Sequence, residues 1–145
     1  MSKSWGPVTW LFLHTLVEKF SDEQYLIVKD ELLSYTKKIC SILPCPDCAK
    51  HAINYLKPIK SIETKTLFVN MLFQFHNSVN YKTKKRIMPY NELAKYKKLN
   101  LKILYNVLLN EYNKQVNNTK MLLGALMKRQ ILMDLDKWLK QKHLI

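Results

Sequence analysis

Residues 39–56 read ICSILPCPDCAKHAINYL. Helical spacing runs into this stretch, Pro44 ends it, and Pro46 reopens it. Proline suits a helix's first turn because its missing N–H would have no partner there anyway. All three cysteines of the chain, Cys40, Cys45 and Cys48, fall in this stretch. Cys45 lies just ahead of the new helix, facing unpaired backbone N–H groups and the positive end of the dipole, which together favour thiolate. Cys48 follows one turn in, close enough to bridge Cys45. A dithiol–disulfide couple needs this pairing of an exposed attacking sulfur with a recessed partner. Two other readings stand beside it: inert buried thiols, or a four-ligand zinc site of Cys40, Cys45, Cys48 and His51. A thioredoxin-type motif is discarded, because no strand precedes the pair.

Outward from this junction the chain reads as helix throughout. A first helix is predicted over residues 5–20, with Trp10, Leu13, His14 and Val17 on one face. A second starts at a capping box of Ser21 and Gln24 and runs to residue 42. The third, from residue 46, stops before Pro58. A fourth spans 63–82 with Leu67, Met71, Leu72, Phe75 and Val79 inward. A short helix follows Pro89, and two more cover 100–112 and 119–142, the last with Leu122, Leu126, Met133 and Trp138 on its stripe. The fold class is all-α.

The chain's 145 residues make one ordinary domain's length. Its two glycines, Gly6 and Gly124, exclude both G-x-G-x-x-G and P-loop phosphate sites. There is no apolar run long enough to span a membrane and no signal-peptide pattern, so cytoplasmic action is expected. The net charge of +13 rests almost wholly on lysine spread along the chain. With no basic stripe, specific nucleic-acid binding is not expected.

Two further segments carry unusual polarity on helical faces. WGPVTWLFLHTL sets Trp10 and His14 four apart. FQFHNSVN, residues 73–80, sets His76, Val79 and Asn80 on one face with Asn77 beside it. Core-facing polar groups need partners, and a flat, heteroatom-rich cofactor would supply them.

With W-x-x-x-H at Trp10 and His14, L-P-C-x-x-C from Leu43 to Cys48, and H-N-x-V-N from His76 to Asn80, the chain resembles the Erv/ALR flavin-linked sulfhydryl oxidases. It is most similar to the forms encoded by large cytoplasmic DNA viruses. The resemblance implies a four-helix bundle plus a short fifth helix holding FAD, over residues 1–98, and leaves 99–145 as a C-terminal helical extension. It implies that substrate thiolate attacks Cys45, that Cys48 lies nearer the flavin, and that dioxygen takes the electrons to give hydrogen peroxide. Gly6, Trp10 and His14 match positions lining FAD. His76, Asn77, Val79 and Asn80 match those around adenine and ribose, and Lys82 and Lys85 those near the pyrophosphate. His51 and Tyr55, past Cys48 on the third helix, are assigned to the cofactor as well.

The implied partners are a dithiol protein or a thioredoxin-like carrier, dioxygen, and a second copy in a homodimer, working in the host cytoplasm or on virions. The chain departs from the family pattern in two respects. It has no shuttle cysteine pair, and no cysteine follows Cys48 to pin the C-terminal segment. Cys40 is read as a packed small residue, with cross-linking or exchange as its alternatives. The competing function is a zinc-stabilised helical module binding nucleic acid or a protein.

Overall fold

The computed structural model describes residues 5–114 and 122–145. Among them are six α-helices, α1 (Trp5–Glu18), α2 (Asp22–Ser41), α3 (Pro46–Leu56), α4 (Lys65–Lys82), α5 (Leu101–Asn113) and α6 (Leu122–Gln141), and a 3-10 segment, Tyr90–Lys98. There is no strand among the described residues.

Local chemistry sets most of the boundaries. Ser21 Oγ accepts from the Gln24 N–H at 3.1 Å while the Gln24 side chain accepts from the Ser21 N–H at 2.8 Å, so the predicted capping box opens α2. Thr64 and Asn100 cap α4 and α5 through their side-chain oxygens. The short helix expected after Pro89 is a 3-10 segment. The predicted start of the last helix at residue 119 lies outside the described residues.

α1 is the axis of the packing. Val8, Phe12, Leu13, Leu16 and Val17 are all buried, and so are Thr9, His14 and Thr15. A helix buried all round must be covered on every side. Here α2, α4, α5 and the 3-10 segment cover it. Leu101, Tyr105, Leu108 and Tyr112 of α5, with Leu135, Trp138 and Leu139 of α6, belong to the same hydrophobic core as α1. Polar ties reinforce this: the Trp138 indole N–H donates to Glu31 at 3.0 Å, and the Tyr105 hydroxyl to Asp136 at 3.0 Å.

Leu72 and Phe75 of α4 and Trp138 of α6 are buried as predicted, whereas Leu67, Leu126 and Met133 are turned outward. Leu67 is 52% exposed, and Phe68 is buried instead, sharing one stripe at helical spacing with Leu72 and Phe75. On α6, Leu126 and Met133 are exposed, and Leu132, Leu135, Trp138 and Leu139 face the core. α6 carries apolar residues on two faces, and the face bearing Trp138, with the larger area to bury, is the one that is covered.

Leu108 is fully buried in this common core. Leu108→Ala is expected to lower unfolding stability by about 2–5 kcal/mol, read by urea denaturation. Far-UV circular dichroism should show one transition for the whole chain. A separate early transition of the C-terminal helices would mark 99–145 as an independent unit.

Candidate active site

The site is a cavity of about 940 Å³ walled by α1, α3, α4, the end of α2 and the 3-10 segment. That lies within the range of roughly 300–1,000 Å³ usual for ligand sites. Cys45 is the N-cap of α3 and is disulfide-bonded to Cys48, with 5.2 Å between their Cα atoms. The Cys48 N–H donates to Cys45 Sγ at 3.2 Å. Cys48 lines the cavity and Cys45 does not.

Of the other predicted residues, Gly6, Trp10, His51, His76, Val79, Asn80, Lys82 and Lys85 line the cavity. His14, Asn77 and Tyr55 stand behind its wall, each in contact with a residue that supports the site. His14 is 2% exposed, and its Nε2 lies 3.1 Å from His76 Nδ1, one nitrogen donating and the other accepting. The His76 ring stacks on Trp10 at 4.2 Å between centroids. Tyr55 stacks on Phe75, a residue of the cavity wall, at 4.5 Å.

Asn77 makes a reciprocal pair with the backbone of Met88: its amide donates to the carbonyl at 3.1 Å and its Oδ1 accepts the N–H at 2.8 Å. That pair ties the segment after α4 back onto α4. It thereby brings the 3-10 segment over the histidines, where Tyr96 stacks on His14 at 4.4 Å. The turn leaving α4 is a Schellman motif. The Lys85 N–H bonds the Asn80 carbonyl and the Lys84 N–H the Tyr81 carbonyl, with Lys84 at φ 59°. The turn sets Lys85 at the cavity rim.

Sequence reasoning missed Lys95 and Tyr96, both of which line the cavity. The signal available was the pairing of Leu93 with Tyr96, three apart after Pro89, which marks one inward face. It also missed that Cys40 borders the cavity. Cys40 is buried, and burial pushes its thiol up to about 12, so it stays protonated.

The four-ligand zinc reading is not formed. Cys45 and Cys48 are joined to each other, and no group of three ligating side chains among the described residues could hold a metal ion.

The residues present suit a large, flat, polar-edged cofactor. The Lys82 ammonium lies 3.4 Å from His51 Nδ1. Ammonium only donates, so Nδ1 is the acceptor and neutral His51 carries its proton on Nε2. That Nε2 is buried with no partner, a free donor on a residue of the wall. Trp10, Phe75 and Leu13 offer apolar surface, and Lys82, Lys85 and Lys95 offer positive charge. FAD, with ring acceptors and a pyrophosphate, matches that donor set.

The Erv1/Alr family model matches residues 7–99, and the chain belongs to that family. A FAD-linked sulfhydryl oxidase of African swine fever virus (isolate Tick/Malawi/Lil 20-1/1983) is 32% identical over 111 residues, 76% of this chain and 89% of the relative. The 347L protein of Invertebrate iridescent virus 6, provisionally named a FAD-linked sulfhydryl oxidase, is 33% identical over 93 residues, 59% of this chain and 84% of the relative. The ERV2 FAD-linked sulfhydryl oxidase of Saccharomyces cerevisiae is 26% identical over 89 residues, 60% of this chain and 45% of the relative. No solved structure gives a significant match.

Burial, followed by the neighbouring His76 and Lys95, lowers the His14 pKa to about 3. Burial, then Lys95 and Lys85, lowers that of His76 to about 4. Both folded values lie below the ordinary 6.5, so below that pH the native state binds fewer protons than the unfolded chain. Their contribution is complete above pH 6.5 and is lost as pH falls toward the folded values. The paired carboxylates Glu63 and Glu92, ordinarily 4.5, and Asp136, ordinarily 3.8, have lowered pKa values and act only in more acid solution. The melting temperature should therefore fall between about pH 6.5 and 5, and His14→Gln should flatten that slope. An unchanged slope in the variant would remove His14 from the account.

Proposed function

We infer that this chain is a FAD-dependent sulfhydryl oxidase that converts protein dithiols to disulfides through Cys45 and Cys48. The thiol oxidase class and its FAD rest on family membership and on the names of the viral and cellular relatives. The observation that carries the finer reading is the asymmetry of the disulfide, with Cys48 on the cavity wall and Cys45 off it.

A substrate thiolate attacks Cys45 Sγ. A mixed disulfide forms, the Cys45–Cys48 bond breaks, and Cys48 leaves as thiolate. The second substrate thiolate then attacks the substrate's own sulfur in that mixed disulfide. Substrate disulfide departs, Cys45 is released as thiolate, and two electrons now rest on the Cys45–Cys48 pair. As N-cap of α3, Cys45 has the Cys48 N–H and the helix dipole to hold its negative charge when released. Cys48, facing the cavity, is the sulfur placed to pass electrons inward. FAD, when bound, supplies a two-electron acceptor that dioxygen reoxidises, giving hydrogen peroxide.

His51 offers its Nε2 proton, Trp10 and His76 a stacked aromatic wall, and Lys82, Lys85 and Lys95 charge for a pyrophosphate. The two lowered histidine pKa values keep that interior neutral, so positive charge is confined to the lysines. Among the described residues no helix is long and apolar enough to cross a membrane. A dithiol protein or thioredoxin-like carrier as donor, a homodimer, and work in the host cytoplasm or on virions complete the reading. Sedimentation equilibrium tests the dimer.

Cys45→Ser and Cys48→Ser should each abolish dithiothreitol oxidation and peroxide release while leaving a yellow, folded protein. Offered a peptide with one cysteine held as a mixed disulfide with thionitrobenzoate, Cys48→Ser should form a stable peptide adduct at its free Cys45 thiolate, expelling thionitrobenzoate and read by mass spectrometry, and Cys45→Ser should not. The reverse pattern would exchange the two roles, and wild-type turnover in either variant would end the assignment. His76→Ala should lower flavin content and melting temperature together, since bound ligand stabilises by mass action. Unchanged flavin content would return His76 to a packing role.

A further inference from the structure

One polar contact reaches the cavity wall from beneath, and its source lies beyond the residues that match the family. Tyr112, on α5, is 0% exposed, and its hydroxyl lies 2.8 Å from Thr9 Oγ1. Thr9 Oγ1 in turn donates to the Trp5 carbonyl at 2.6 Å. A threonine hydroxyl has one proton, and this bond uses it. Tyr112 is therefore the donor, and the chain of bonds runs one way, from Tyr112 through Thr9 to Trp5. Burial holds the Tyr112 phenol well above its ordinary range, so the donor keeps its proton.

The far end of this chain is the cofactor wall itself. Trp5, Gly6, Pro7 and Thr9 all line the cavity. That first turn of α1 is thinly packed. Trp5 and Gly6 are only half-buried, Pro7 is exposed, and a Cβ built on Gly6 would meet nothing within 4 Å. A buried tyrosine needs a hydroxyl partner wherever it sits. This one has found it in Thr9, at the end of that half-buried first turn. Its own position is fixed from α6 as well, where the Lys128 ammonium donates to the Tyr112 carbonyl.

We propose that Tyr112 is a positioning residue for the flavin: by donating to Thr9 it fixes the first turn of α1 as cavity wall, so the helix after the family-matched region sets how firmly the cofactor is held. The proposal rests on the reading of the cavity as the FAD site. Without the hydroxyl, the turn must be ordered on binding, and that ordering opposes retention.

The test uses full-length protein loaded with FAD. Flavin release after dilution is followed by fluorescence, and folding by far-UV circular dichroism. Tyr112→Phe should release FAD about three- to tenfold faster, the effect of one hydrogen bond, while remaining folded. In a Thr9→Val background the same change should add nothing. Leu108→Ala, an apolar truncation on the same helix, should lower stability and leave release at the wild-type rate. The proposal is overturned if Tyr112→Phe releases flavin at the wild-type rate, if it acts equally in the Thr9→Val background, or if Leu108→Ala accelerates release as much. Wild-type protein that holds no FAD would instead overturn the parent reading, and this one with it.

Discussion

Burial of α1 on every side is the constraint from which the rest of this structure follows. From Phe12 to Val17 every residue of α1 is buried, so that stretch has no solvent face and each neighbour is recruited to cover a sector. α2, α4, α5 and the 3-10 segment do so. The polar groups that α1 carries inward then need partners, and two of those partners define the site. His14 finds His76 on α4, and Thr9 finds Tyr112 on α5. Leaving either unpaired would forfeit about 1–3 kcal/mol, a large share of a small domain's stability.

The electrostatics of the cavity divide in the same way. Its interior holds neutral histidines stacked on aromatic rings, and its positive charge sits on Lys82, Lys85 and Lys95. Protonating either histidine would bring a cation into a poorly solvated space already facing lysines, which is why both titrate far below the ordinary imidazole range. The disulfide stands at the edge of this space, one sulfur inward and one off the wall. In the proposed mechanism this placement leaves Cys45 to the substrate thiol and Cys48 to the cavity.

Much of the fold was legible because its signals are local. The Ser21–Gln24 box and the proline pair around Cys45 act within one turn, so spacing alone reveals them; the Thr64 and Asn100 caps, equally local, were not read, and the predicted fourth helix starts at residue 63. Faces were harder to read wherever a helix has two apolar stripes. Leu67, Leu126 and Met133 point outward because a neighbour covers the other stripe, and no local term tells which stripe will be met. The positions of Asn77, Tyr55 and His14 behind the wall depend on side-chain contacts across helices, as does the arrival of Lys95 and Tyr96 at it.

By itself, the sequence determined that the chain is all-helical, that a redox-capable C-x-x-C opens a helix, and that Trp10, His14 and the His76–Asn80 set lie on helical faces. These follow from backbone periodicity and from chemistry within a turn. The placement of Cys48 nearer the site was implied by the family resemblance; only the tertiary structure decided that the C-terminal helices share the core with α1 and that Tyr112 bonds Thr9 of the cavity wall. Those outcomes depend on which surfaces meet across more than a hundred residues of chain, and burial of area between distant segments carries no signature in the spacing of either one.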